Sequence, residues 1–562
     1  MECFLDLSLA MRALSVRRLQ RLSSVAPTQA PVRIVLQSFL VWTLFLVFYK
    51  TFVKMAPSNE TAKLIKGKTM HTACQLTRGS LKMNKLRVNE ERRKALARIY
   101  SDAGAEIIDE FSQSLAQLYH AVSLLTTYGR ADALELDPAR YAQETETFGR
   151  VPYVITAGDE LQLPCVPFTA SLLASVQGTS SEHRTGVHIF SQQDYVYRLT
   201  TSMRYDDEVL KIILAKMRNP GGCTFTKVEI EALLRTNVSS VAAAEPGGPL
   251  EGTEDYYQVA YEWNVVCMAQ AIRSVQSARL HKQVLYLTQA EDTVHDMALV
   301  DVPLTLEILR YPNMNETGRL PGIAMFHLGM EVRLTVTVEP GVAVVDATGH
   351  VVGIDLHPED EARSTTDKRP LRLLRELPHA VYVQLQDEEE PDKIADVYLL
   401  PPTPCARHAA GGAEPGCDKC RFYKGCVAVK PQRSRTAFRL PVTVDGKEYE
   451  VKVTRRQVPL TTVKASTLQT IQGTTADPGL IFHWVFPRRL AMEMRWLAAY
   501  VALSRVRSLS RLRSIGLNKD ILKMLQNGPP DSLPQKFQQL FADKEAETNA
   551  AADAAMRSLG WR

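Results

Sequence analysis

Short apolar runs separated by amphipathic stretches set the pattern of the chain from Phe52 onward. Phe52 to Ala56, Glu106 to Ile108 and Val151 to Ala157 read as buried strands. Glu90 to Tyr100 and Glu208 to Arg218 read as helices between strands. This alternation predicts an α/β fold with parallel sheets and flanking helices. Residues 236–255, rich in Ala, Gly, Glu and Pro, read as a loop or insertion. From Met330 to Asp355 the period changes to two, with Gly341, Gly349 and Gly353 as turn points, which predicts a small antiparallel β unit. Val442 to Val453 reads as a hairpin around Asp445-Gly446. Residues 527–562 open on Pro529-Pro530 and end Ala-rich and polar, as expected of a poorly packed tail. There is no internal repeat.

Residues 1–51 break this pattern. Residues 10–33 are rich in Arg, Ser, Leu and Ala and contain no acid, and Ile34 to Tyr49 is interrupted only by Gln37, Ser38 and Thr43. The apolar stretch 34–49 reads as a buried helix of the first domain. It also reads as a targeting segment or membrane anchor, although a span takes about 20 residues. A third reading is a leader foreign to the ancestral fold, or a misplaced start.

Composition narrows the classes. A chain of 562 residues with 45% hydrophobic and 23% charged residues has room for several domains, and disorder, collagen and coiled coil are excluded. The net charge is 67 − 62 = +5. Residues 1–54 hold seven basic and two acidic residues, so the remainder is neutral and gives no global argument for a nucleic-acid partner. One local patch stands out. Nine basic residues lie between Arg488 and Lys523, opposed by Glu493 and Asp520. Nine Cys do not make a secreted disulfide scaffold and suit a reducing compartment.

Candidate chemistry begins at Ile107-Ile108-Asp109-Glu110. A carboxylate pair at a strand end is the arrangement that holds Mg²⁺ and polarises a water. A second apolar strand stops at Gly158, followed by Asp159 and by Gln162, whose amide both donates and accepts. Downstream come Met203-Arg204, then Ala465-Ser466-Thr467 with Gln472-Gly473, then Tyr500 to Arg507. An arginine carried in from a second domain neutralises charge on a transferring phosphoryl group.

In that order, the motifs resemble those of Pif-type DNA helicases, in the RecD-related branch of helicase superfamily one. Ala56-Pro57-Ser58-Asn59 with Gly67-Lys68-Thr69-Met70-His71 resembles the DNA-contacting motif after the first strand. Asp109-Glu110 resembles Walker B, Gly158-Asp159 with Gln162-Leu163-Pro164 motif three, and Met203-Arg204 the motif-four arginine. Arg455-Arg456-Gln457 followed by Thr467 and Gln472-Gly473 resembles motif five and its approach, and Tyr500 to Arg507 motif six.

The resemblance covers about residues 52–525 and implies two RecA-like P-loop NTPase domains, at 52–198 and at 199–328 with 455–526. It implies a small SH3-like β insertion at 329–454 in the second. It implies ATP with Mg²⁺ as cofactors and single-stranded DNA as partner, traversed 5′ to 3′ in repair, recombination or telomere upkeep. Asp109 would bind Mg²⁺, and Glu110, Gln162, Arg204 and Arg505 would serve hydrolysis. Gln472, Gly473 and Arg505 would face the nucleotide. Pro57, Ser58, His71 and Thr467 would line the DNA channel. A nuclear or mitochondrial location follows from such a role.

Two departures oppose the hydrolytic part. No Gly occurs in residues 1–66, and the window where the phosphate-binding loop belongs reads Ala26-Pro27-Thr28-Gln29-Ala30-Pro31-Val32-Arg33. Gly67-Lys68-Thr69 has the letters of that loop but lies after the strand, within the DNA motif. Gln469-Thr470-Ile471 stands where the family has His-Lys-Ser. Two functions remain: an ATP-dependent DNA helicase, and a degenerate helicase that binds single strands without efficient hydrolysis. Separately, Cys405, His408, Cys417, Cys420 and Cys426 include the Cys-x₂-Cys spacing of a Zn²⁺ grip. The other reading is a mobile loop with thiols.

Overall fold

The computed structural model describes residues 21–25, 51–76, 88–134, 147–177, 179–199, 204–238, 250–295, 302–339, 342–364, 367–387, 393–403, 407–408, 411–414, 417, 423–444, 447–530 and 532–558. The first domain is a six-stranded, all-parallel sheet. Its strands are β1 (Arg21–Val25), β2 (Thr51–Ala56), β3 (Lys68–Thr69), β4 (Ala103–Ile108), β5 (Tyr153–Gly158) and β6 (Tyr195–Arg198), ordered β3-β2-β4-β5-β1-β6. Every residue of β4 and β5 is buried, as a parallel sheet covered on both faces requires. Helices Ala116–Arg130 and Ser181–Ser191 pack together.

β1 corrects the boundary set at residue 52. Leu22 lies between Ile155 of β5 and Tyr195 of β6, so the segment 1–51 supplies an interior strand of this sheet. Residues 26–50, which contain the apolar stretch 34–49, lie outside the described residues. Among the described residues no helix is long and apolar enough to cross a membrane.

The second domain is a five-stranded parallel sheet in the order Ala465–Thr467, Tyr257–Ala260, Leu480–His483, Leu512–Ile515, Asn237–Val238. Between its strands lies more β structure than the 329–454 boundaries allow. An antiparallel five-stranded sheet joins Cys426–Val429, Ala380–Leu385, Thr348–Asp355, Glu331–Leu334 and Leu460–Thr462. The hairpin Phe438–Val444 with Lys447–Gln457 forms as read, its two turn residues lying outside the described set. Its second strand also pairs with Glu291–Val294, which the sequence reading had left in the second RecA-like domain. Arg455 fixes that pairing. Its guanidinium is fully buried, donates to both oxygens of Asp292 at 2.8 and 2.9 Å and to the Ile308 carbonyl, and stacks on Phe438. Arg455 is therefore a structural residue of the inserted β region.

The expected tail is a 27-residue helix, Ser532–Ser558. It returns from the second domain to the first. Phe537 and Phe541 are buried against Phe111 and Phe190, and the Thr548 hydroxyl accepts from the Val196 N–H of β6. Leu533, Phe537 and Phe541 recur every four residues, so one helical face is apolar.

Two tests follow. Phe541→Ala removes a buried ring from the first domain's core and should cost about 3–5 kcal/mol, read as an earlier first-domain transition in chemical denaturation. Glu106 on β4 is fully buried, and burial pushes its carboxyl up to about 8 against the pull of the Thr126 hydroxyl and of Arg130. The folded chain thus keeps a proton that the unfolded chain releases near 4.5. Stability should fall as pH rises from about 4.5 to about 8, by a few kcal/mol, and level off above. Glu106→Gln should flatten that slope in thermal unfolding across the same range.

Candidate functional site at the domain interface

The two carboxylates sit where the sheet ends. After β4 the Asp109 N–H still bonds the Met55 carbonyl of β2, at 2.9 Å. Glu110 then takes a left-handed backbone, φ 54° and ψ 51°, and its N–H bonds Asp109 Oδ1 at 3.0 Å. That conformation is costly for a non-glycine residue and turns the chain abruptly off the sheet. Both residues are buried. One strand over, β5 ends at Gly158, and Asp159 accepts from the Leu161 N–H at 3.1 Å. The Gln162 side chain is 1% exposed, and neither its amide oxygen nor its amide nitrogen has a hydrogen-bond partner among the described residues. A buried amide left so costs stability and is a group waiting for a ligand.

The second domain closes on this edge through Gly473. Its φ is +86°, and a Cβ there would lie 2.8 Å from Thr61 Cγ2 and 3.2 Å from Glu110 Oε1, both across the domain boundary. Only glycine has both the conformation and the room. Beside it the Gln472 amide donates to the Leu163 carbonyl at 3.0 Å. Arg505 follows helix Met492–Leu503 and is fully buried. It donates to the carbonyls of Val501 and Thr474 and to Ser504 Oγ. Burial lowers its pKa, and Tyr205, Glu110, Tyr500 and Asp159 oppose that. Arg204 Nη1 donates to the Ser504 carbonyl at 2.7 Å, so both arginines converge on one turn beside the carboxylates.

One residue of the interface carried no sequence signal. Arg218, at the C-terminal end of helix Glu208–Met217, contacts both Asp159 oxygens at 3.1–3.2 Å, the Tyr500 hydroxyl at 2.6 Å and Glu160 at 3.4 Å. Burial opposes its charge, but Asp159, Tyr500 and Glu160 hold its pKa well above the ordinary arginine value. Arg198 extends the network from Glu160 to Glu545 of the C-terminal helix. In sequence Arg218 is only a basic helix end, some 58 residues from its carboxylate partners.

On the same interface lies an open cleft of about 590 Å³. Pro57, Ser58, His71 and Thr467 all line it, drawn from both domains, together with Gln472. Ser58 caps the short helix Asn59–Leu64 by accepting from the Thr61 N–H. That helix is tied to the inserted β region, since Asn59 Nδ2 donates to the Val345 carbonyl at 2.7 Å and Glu60 pairs with Arg333 at 3.5 Å. Thr467 and Thr470 share a hydroxyl contact of 3.0 Å. Tyr261 and Trp263, at the end of strand Tyr257–Ala260, also face the cleft and were missed from sequence. Their Tyr-x-Trp spacing directly after an apolar run was the available cue.

These residues fit magnesium-bound ATP only in part. Asp109, Glu110 and the unpartnered Gln162 amide suit its metal and γ-phosphate end. The cradle does not fit. The window 26–33 after β1 includes Pro27 and Pro31, which have no N–H, and contains neither Gly nor Lys. For zinc, Cys405 and Cys420 lie outside the described residues. His408 Nε2 approaches Glu414 at 3.2 Å. Cys426 is buried in strand Cys426–Val429, where burial raises its thiol pKa. Among the described residues no group of three His, Cys, Asp or Glu could hold a metal.

No protein-family model matches the sequence, and no curated protein matches it. Solved structures do match. Pif1 helicase from Candida albicans is 16% identical over 95% of this chain and 98% of that one, with a TM-score of 0.51. Bacteroides Pif1 bound to single-stranded DNA is 15% identical over 95% and 96%, at 0.53. The Bacteroides enzyme with ADP-AlF₃ and single-stranded DNA is 14% identical over 95% and 97%, also at 0.53. The architecture is thus that of a helicase built on two RecA-like domains. More narrowly, it is the fold of the Pif1 helicases.

Replacing Arg218 with Met should leave Asp159 buried without its counter-charge and cost about 3–5 kcal/mol. Thermal unfolding measures the loss, which a double change with Asp159→Asn should partly relieve.

Proposed function

We propose that this chain is a helicase-class protein that holds single-stranded DNA in the cleft between its two RecA-like domains. The observation that carries this reading is the convergence of Pro57, Ser58, His71 and Thr467 on one cleft. These residues come from segments far apart in sequence, and the cleft adds Tyr261 and Trp263 as flat apolar surfaces. Aromatic faces with small hydroxyl and amide groups suit stacked bases and a phosphate backbone, without reading base edges. The solved neighbour held with single-stranded DNA supports the same partner.

A role in repair, recombination or telomere upkeep, in nucleus or mitochondrion, and 5′ to 3′ movement belong to this reading by fold. The nucleotide half is the weaker half. Without the amides and lysine of a phosphate loop, each lost donor typically costs ~10²–10³ in rate. We therefore propose that this polypeptide binds DNA while hydrolysing ATP poorly. Full helicase activity is the second reading, favoured by the unpartnered Gln162 amide and by Gly473 seated against Glu110.

Fluorescence anisotropy of a labelled oligonucleotide should show sequence-indifferent binding without nucleotide. Affinity should fall with salt at a slope of about −0.7 per phosphate neutralised, and Trp263→Ala should weaken binding by ~1–3 kcal/mol. Affinity absent at low salt would refute the DNA reading. DNA-stimulated turnover of roughly 1 s⁻¹ or more, lost in Glu110→Gln, would establish the second.

A further inference from the structure

Three of the connections that leave the carboxyl edge of the second domain's sheet follow neighbouring strands. Gln469 and Thr470 follow Ala465–Thr467, Tyr261 and Trp263 follow Tyr257–Ala260, and residues 484–490 follow Leu480–His483. The first two loops line the cleft. The third abuts it, since the Phe486 ring packs edge-on against Tyr261 with centroids 6.1 Å apart. This third loop is built rather than slack. The Leu490 N–H bonds the Pro487 carbonyl at 3.0 Å, which closes a turn with Arg488 and Arg489 at its tip. From beneath, Arg495 donates to the carbonyls of Leu490, Pro487 and Arg488, all at 2.9–3.0 Å. One guanidinium thus spends its donors on fixing the turn.

The charges at the tip are differently placed. Arg488 and Arg489 are exposed, and their guanidiniums have no partner among the described residues. Four other cations of the 488–523 run are already engaged, Arg495 among them. Arg511 pairs with Asp477, Arg513 bonds backbone carbonyls, and Arg505 is buried. Lys519 and Lys523 are also exposed, on helix Lys519–Gln526; Arg488 and Arg489 are the exposed cations that lie one ring beyond the cleft.

We propose that the turn Pro487–Leu490 extends the DNA cleft, with Arg488 and Arg489 gripping the phosphate backbone of the single strand where it leaves the Tyr261 face. This rests on the DNA reading above. Two free guanidiniums on a preformed turn lose little freedom on binding phosphate, and neither reads a base.

The test uses the full chain and two unlabelled-sequence oligonucleotide lengths, ~8 nucleotides to fill the cleft and ~20 to pass over the turn. The double variant Arg488→Gln with Arg489→Gln should weaken the longer strand roughly tenfold and reduce its salt slope by about 1.4, two phosphates' worth. The short strand should bind within about twofold of the parent. Arg488→Lys with Arg489→Lys should retain the salt slope. Arg495→Met, which keeps both tip charges but unties the turn, should weaken the longer strand alone. Equal loss for both lengths would place the turn inside the cleft, and no loss for either would make it a solvated surface. Each result overturns the extension while leaving the DNA reading standing. If the parent chain binds neither strand, both readings fall together.

Discussion

The central charged tie between the two RecA-like domains is one guanidinium. Arg218 comes from the second domain, and its main counter-charge, Asp159, terminates a strand of the first. A carboxylate as buried as Asp159 is costly unless an opposite charge and hydrogen bonds answer it. Arg218 also bonds and stacks on Tyr500 of the motif-six helix. One side chain thereby links the edge that carries Asp109, Glu110 and Gln162 to the helix whose end carries Arg505. Gly473 is the steric counterpart. The ion network pulls the domains together, and a missing Cβ lets them meet at Glu110.

The two functional halves of the interface differ in how much of their chemistry the chain contains. On the side proposed to hold DNA, small polar groups, two aromatic faces and a preformed basic turn lie at neighbouring strand ends of one sheet edge. On the nucleotide side, the carboxylates, the glutamine and the arginines are brought together, but the stretch after β1 lacks the residues that would wrap a triphosphate. Such a division is physically coherent. Strand binding needs dispersed contacts that are individually modest. Phosphoryl transfer needs several preorganised donors aimed at one developing charge, and it fails steeply when they are missing.

Much of this was legible in sequence wherever function is local. Strand ends announced themselves as apolar runs halted by Asp109-Glu110 or Gly158-Asp159, and parallel sheets made those runs continuous. β1 was not legible, because Arg21-Leu22-Ser23-Ser24-Val25 carries a weak apolar signal and is specified by its two neighbouring strands. The extent of the inserted β region was hidden for a related reason. Asp292 meets Arg455 across more than 160 positions, and no local pattern encodes that pairing. The helix Ser532–Ser558 was legible and was misread. Leu533, Phe537 and Phe541 mark an apolar face, which Pro529-Pro530 and the polar, Ala-rich end obscured.

That helix has a consequence for how the protein comes into being. The aromatic cluster of the first domain joins Phe111 and Phe190 to Phe537 and Phe541, several hundred residues later. During synthesis the first sheet emerges early, yet one wall of its core is still inside the ribosome or untranslated. The whole second domain must be synthesised before Phe541 is available to cover Phe190. The first domain therefore matures last. A nascent chain that stalls anywhere before the helix presents exposed rings on a sheet otherwise ready to close, which is the kind of surface that chaperones retain and proteases sample.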